Sequence, residues 1–199
     1  MRPGFQRCSN LTELLENEEP ARITPGSVID MTVEKARDYH EATASEGDIM
    51  RVPKEKAHEV IAGYTIANDL SVRDWQLRVP TFTIGKSFDT HCPFGPAIVT
   101  PDEISDPHNL DLVTEVNGEE RQSSNTKHLI FNCFDLVEHL STAFTLEPGD
   151  LVLTGTPGGV GVVEGKFLKN GDTIKISISE IGHIENKVID EPDSTVLIQ

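Results

Sequence analysis

Cysteine is scarce in this chain, and Cys8, Cys92 and Cys133 form an odd set without C-x-x-C spacing. Neither a disulfide framework nor a thiolate zinc site is indicated, and the default is a reducing compartment. A zinc or thiol enzyme built on Cys92 or Cys133 and the scattered histidines has no supporting spacing. Long apolar runs are also missing: no stretch approaches the ~20 residues that span a bilayer, and the opening MRPGFQRC lacks the apolar core of a secretory signal. Positive charge is the third shortage. Seventeen Lys and Arg against thirty-three Asp and Glu leave a formal charge of −16, which repels phosphate backbones and anionic lipid. Nucleic acid and membrane surfaces are poor partners for such a protein; the expected address is the cytosol, with a mitochondrial one as the alternative.

The 199 residues suit one domain, or a main domain with a small appendage. Residues 1–52 read as an acidic segment without sustained periodicity, with ENEEP and SEGD as loops and SVIDMT as a short strand; residues 53–199 read as the main domain. There the signals sharpen. PKEKAHEVIAG predicts a short helix opened by Pro53 and stopped by Gly63, feeding the strand YTIAN. Asn117-Gly118 between two short runs predicts a tight hairpin. Ile130, Phe134, Val137, Leu140 and Phe144 share helical spacing across LIFNCFDLVEHLSTAF. DLVLTGT and DTIKISIS return to strands, with Ile174, Ile176 and Ile178 alternating onto one face. The class is β-dominated α+β.

Three stretches could carry chemistry. In GYTIANDLSVRDWQ an apolar run ends on Asp69, followed by Arg73, Asp74 and Gln76. A strand end could present that carboxylate to a hard cation such as Mg²⁺, which takes oxygen ligands; a local Asp69–Arg73 pair closing a turn is the plainer alternative. In GKSFDTHCPFGPAIVT, Lys86 sits between Gly85 and Ser87, with Asp89, Thr90 and His91 beyond. A lysine held away from water can stabilise negative charge on a reacting oxygen, whereas a solvated surface lysine is the usual case. His91 and Cys92, as neighbours in an extended chain, would face opposite ways and make a poor nucleophilic pair. In LTGTPGGVG neither phosphate-loop pattern is present, so Thr156 stands at a strand end where an anion could approach, or in a plain turn.

Taken in order, these stretches, together with VNGEERQSSNTKHLIF, LEPGDLVLTGTPGGVG and NGDTIKISISEIGHIENKV, resemble the catalytic C-terminal domain of the fumarylacetoacetate hydrolase superfamily over roughly residues 53–190. QSSNTKHLIF and EIGHIENKV are most similar to its oxaloacetate tautomerase group. The resemblance implies a mixed β-sandwich roll, a homodimer, a Mg²⁺ or Mn²⁺ cofactor, and chemistry on small 2-oxo or 2,4-dioxo acids. By motif it implies that Asp69 binds metal with Thr90 behind it, that Lys86 is the active-site lysine, and that Arg73, Gln76 and Thr156 face substrate. Two family features have no counterpart in the text: a Glu-x-Glu strand supplying two metal ligands, and a lid whose His and Glu activate water. RDYHEATASEGD, with His40, Glu41 and Glu46, matches neither register and reads as a solvated linker. The simplest expectation is that an internal block between about residues 31 and 52 is missing, leaving the roll incomplete, with exposed sheet edges, and metal binding weakened. The alternative function is an inactive chain that acts through oligomerisation.

Overall fold

The computed structural model describes residues 51–191, together with the backbone of two earlier strands, β1 (Ile23–Thr24) and β2 (Ser27–Thr32). The expectations placed on ENEEP, SEGD, His40, Glu41 and Glu46 lie outside the described residues. Beyond residue 51 come β3 (Gly63–Asn68), β4 (Ser71–Val72), β5 (Phe94–Val99), β6 (Asp111–Val116), β7 (Glu119–Asn125), β8 (Leu151–Leu153), β9 (Thr173–Ile178) and β10 (Gly182–Lys187). Helices α1 (Arg73–Gln76), α2 (Cys133–Ala143) and α3 (Gly161–Glu164) are interleaved with them. The expected β-dominated α+β class is what the chain adopts.

Two four-stranded antiparallel sheets carry the architecture, in the orders β10-β9-β6-β7 and β5-β3-β2-β8, with β1 paired separately to β4. The first joins two hairpins through the long-range β6–β9 pairing. Asn117 and Gly118 take φ of 53° and 79° to turn β6 into β7, the left-handed values that the Asn-Gly pair predicts. On β9, Ile174, Ile176 and Ile178 alternate inward and are almost fully buried, each worth about 1.5–3 kcal/mol of transfer free energy at most. They meet Ile66 of β3, Leu112 and Val116 of β6 and Val137 of α2 in one core.

The second sheet is assembled from distant segments. β3 lies between β2 and β5, and β2 in turn lies between β3 and β8. All six residues of β3 are buried, as befits a strand covered on both faces. SVIDMT, expected as a short strand, takes the place beside β3 as β2.

Two helix expectations also change. PKEKAHEV forms a 3-10 helix, Lys54–Glu59, with Pro53 just outside it. Gly63 is no helix stop but the first residue of β3. A Cβ there would lie 2.6 Å from the Val99 carbonyl oxygen, so only glycine admits the β5 backbone so closely. The long helix opens at Cys133 and leaves Ile130 outside it, 90% exposed. Asn132 is the reason: its side chain accepts hydrogen bonds from the Phe134 and Asp135 amides while Asp135 accepts from the Asn132 amide. That capping box outweighs the apolar spacing upstream.

Candidate active site

The site begins where β3 leaves its sheet. The Asn68 amide donates to the Pro93 carbonyl at 2.9 Å and the Leu70 amide to the His91 carbonyl at 3.0 Å. These bonds extend the β3–β5 ladder past its last registered pair, Ala67 with Phe94, and bring Asp69 opposite Cys92. His91 donates from Nδ1 within its own loop, 2.8 Å from the Asp89 carbonyl oxygen; a carbonyl can only accept, so Nδ1 carries the proton. No Cys92–His91 nucleophile is formed by these contacts.

Lys86 Nζ reaches Asp69 twice, at 2.6 Å to Oδ2 and 3.2 Å to the main-chain oxygen. Both side chains are well covered, 24% and 18% exposed, so the solvated-lysine reading does not hold. The partner of the Asp69 carboxylate in this ion pair is Lys86, across the loop, and not simply the neighbouring turn. Its other oxygen, Oδ1, is buried and has no hydrogen-bond partner.

Packing explains how Lys86 is held. It ends the 3-10 turn Ile84–Lys86. A Cβ on Gly85 would stand 2.5 Å from the Gln76 backbone nitrogen and Cα, so a glycine is required for this turn to press against α1. α1 carries Arg73 and Gln76, whose side chains hydrogen-bond to each other, guanidinium to amide oxygen. Burial draws the Arg73 pKa downward and the Asp69 carboxylate pulls it back up, as expected for a cation taken from water beside a carboxylate. Arg78 stacks 4.0 Å over the Trp75 ring, and Trp75 meets Phe88 edge-on. Thr90 is exposed and takes the left-handed φ of 65°, which turns the loop back toward Leu70.

Thr156 arrives by another route. β2 runs antiparallel to both β3 and β8, with Asp30 facing Thr65 on one side and Leu153 on the other. β3 and β8 therefore run in the same direction and leave the sheet at the same end. Leu153, the last residue of β8, is level with Thr65 of β3, two strand spacings or about 10 Å across the sheet, and Thr156 lies three residues beyond that end. Gln122 of β7, which the sequence reading passed over, donates from Nε2 to Thr156 Oγ1 at 2.9 Å and to the Pro157 carbonyl at 3.0 Å. The signal available for it was the polar residue at an inward position of an alternating strand, and Gln122 is only 1% exposed.

A hard divalent cation asks for oxygen donors and is commonly held by one or two carboxylates, with water and ligand oxygens completing the shell. The unpartnered Asp69 Oδ1 is such a donor. Among the described residues no group of three or more His, Cys, Asp or Glu side chains converges to hold a metal. The donor set thus fits in kind, through one carboxylate.

Residues 43–189 match the family described as fumarylacetoacetate (FAA) hydrolase C-terminal. The chain belongs to that family. It is 47% identical over 147 residues to the oxaloacetate tautomerase FAHD2A, mitochondrial, of Bos taurus, covering 72% of this chain and 46% of that protein. It is also 47% identical over 140 residues to the oxaloacetate tautomerase YisK of Bacillus subtilis, covering 69% of this chain and 46% of that protein. The chain spans about half the length of the curated relatives it matches. Among solved structures, the fumarylpyruvate hydrolase of Pseudomonas aeruginosa in complex with Mn²⁺ and pyruvate is similar with a TM-score of 0.73 at 28% identity, over 90% of this chain and 71% of that one. Family membership and the FAH-type fold are thereby shown. Among the described residues, no helix is long and apolar enough to cross a membrane.

Proposed function

We propose that this chain carries out divalent-metal-dependent chemistry on a small 2-oxo acid, with keto–enol tautomerisation of oxaloacetate the specific reaction and acylpyruvate hydrolysis the neighbouring one. The observation that carries the reading is the Asp69–Lys86 pair, with a buried carboxylate oxygen left over, at the sheet end from which Thr156 also emerges. The relatives named tautomerases and the neighbour that holds Mn²⁺ with pyruvate support it.

Each residue has a role that follows from its chemistry. Asp69 Oδ1 would hold Mg²⁺ or Mn²⁺, which when bound supplies Lewis-acid polarisation of a keto oxygen. Lys86 adds a positive charge in partly desolvated surroundings, where it counts for more against developing negative charge than it would in water. Arg73, steadied by Gln76, and the Thr156 hydroxyl are donors for the substrate carboxylate. Thr90 shapes the loop behind Asp69. The working unit is a homodimer, and the compartment cytosolic or mitochondrial.

The test is an oxaloacetate enol-absorbance assay on the purified chain with Mn²⁺. Turnover that is lost on chelation and in Asp69→Asn is the expected result; turnover indifferent to both removes the proposal. A second reading, an inactive chain that acts by pairing with another, draws on the lack of a three-ligand metal cluster among the described residues and on Leu77, Val79, Phe82 and Ile84, all exposed on one short loop. It requires an oligomer without metal in light scattering, and a monomer would eliminate it.

A further inference from the structure

We infer that Gln122 is a positioning residue that sets the polarity of the Thr156 hydroxyl, turning it into a donor for one carboxylate oxygen of the ligand. The inference rests on the oxo-acid reading above. Its starting point is an atom assignment. The side-chain amide of Gln122 stands 3.0 Å from the Pro157 carbonyl oxygen, which can only accept. The amide atom facing it is therefore the nitrogen, and the same nitrogen lies 2.9 Å from Thr156 Oγ1. Its two hydrogens serve the two oxygens.

The consequence falls on the hydroxyl. A hydroxyl has one hydrogen and two lone pairs, and here a lone pair is taken by Gln122. The hydrogen of Thr156 is left to point elsewhere, and Thr156 is exposed. An anion arriving at Thr156 meets a hydroxyl whose inward lone pair is already taken by Gln122, with its hydrogen left for the ligand. Were the amide reversed, its oxygen would draw the hydroxyl hydrogen inward and present lone pairs to the ligand.

The clamp is rigid on the protein side. Gln122 is 1% exposed, so its amide is shielded from bulk water. Beside it the loop passes so close to β7 that a Cβ on Gly159 would lie 1.9 Å from the Arg121 carbonyl oxygen, at a glycine φ of 96°. Only glycine permits that approach. Leu153 ends β8, and the four residues Thr154–Pro157 carry the chain from the second sheet to this anchor on the first. Gln122 thus joins the scaffold sheet to a donor of the candidate site. The ligand class it selects is a carboxylate, or another anionic oxygen acceptor, in preference to a ligand presenting a donor at that point.

The experiment is a double-mutant cycle read by calorimetry, with oxalate in Mg²⁺ buffer as the probe and Mn²⁺ affinity as an independent readout of the Asp69 end. Gln122→Met, Thr156→Val and the double variant are compared with the full chain. Each single change is expected to weaken oxalate about ten- to a hundredfold, the size of one hydrogen bond to a charged group. The double variant should lose no more than either single, because Gln122 acts through Thr156. Mn²⁺ affinity should stay the same, which a general loss of folding would not allow. Gln122→Glu, which keeps the size and reverses the polarity, serves in the same cycle should Gln122→Met not fold. Oxalate binding unchanged in Gln122→Met, or losses that add in the double variant, would overturn the inference alone. A wild-type chain that binds no oxalate would remove both it and the oxo-acid reading.

Discussion

The two four-stranded sheets divide the molecule by how far apart in sequence their partners lie. In β10-β9-β6-β7 two of the three pairings are hairpins, and their turns can be read residue by residue. In β5-β3-β2-β8 every pairing joins strands separated by a long stretch, as when Thr32 pairs with both Gly63 and Leu151. Local pairing closes small loops and costs little entropy, whereas long-range pairing must be held by burial. The first sheet therefore serves as scaffold. The second gathers segments distant in sequence: Asp69 follows the end of β3, Thr156 lies beyond the end of β8, and the turn that carries Lys86 folds back onto Asp69.

Substitutions can break this contrast, and the largest effect should come from the scaffold. Ile176→Ala removes a side chain with no exposure and should cost about 2–5 kcal/mol in urea unfolding. Loss of both sheets in one transition is expected, since Ile176 and Ile66 share a core; two separated transitions would mean the sheets fold independently.

Gly85→Ala sharpens the other side. Its new Cβ would overlap the Gln76 backbone, so about 1–3 kcal/mol should be lost by overpacking. The Lys86–Asp69 pair should be displaced with it. A crystal structure of the variant with that pair intact would show that the turn has more freedom than the packing allows.

Asn132→Ala tests the capping box, outside both sheets. About 1 kcal/mol is the expected loss of stability, with the helix start fraying toward Leu136 in hydrogen exchange. Unaltered protection would mean that the cap is redundant.

A smaller effect is tied to pH. His108 Nε2 accepts from the Cys133 amide at 3.2 Å, which demands an unprotonated nitrogen there. Burial holds the His108 pKa below its usual value; Asp106 and Asp135 pull it up, and Lys54 pushes it down. The native state then binds this proton more weakly than the unfolded chain. The stability it contributes is complete above the unfolded value of about 6.5 and declines as pH falls below it. Urea midpoints measured from pH 8 to 5 should drop more steeply for the natural chain than for His108→Gln, and equal slopes would assign the drop elsewhere. The smallest change is Glu119→Gln. Its pairs with Lys166 and Arg121 lie at the surface, where such pairs contribute little, and no shift in midpoint should be measurable.

The contrast between sheets is also a contrast in legibility. Alternating isoleucines and Asn117-Gly118 announce β9 and the β6–β7 turn, because period and turn chemistry are local properties. The family motifs give Asp69, Lys86 and Thr156, yet no local rule says that Lys86 lies against Asp69. That proximity depends on Gly85 and Gln76, residues with no place in a spacing pattern. Gln122 was overlooked for a like reason: its importance lies in reaching Pro157, thirty-five positions away. Asn132 misled the helix reading, since a cap outweighs an apolar spacing that continues through it.

The central claim, that one rim of the second sheet is built to receive a divalent ion, is tested most directly by Mn²⁺ titration of the isotopically labelled chain under NMR. Paramagnetic broadening should appear first at the amides of Asp69, Lys86 and Thr90, spare Ile174–Ile178, and vanish in Asp69→Asn. Broadening centred elsewhere, or undiminished in that variant, would contradict the account.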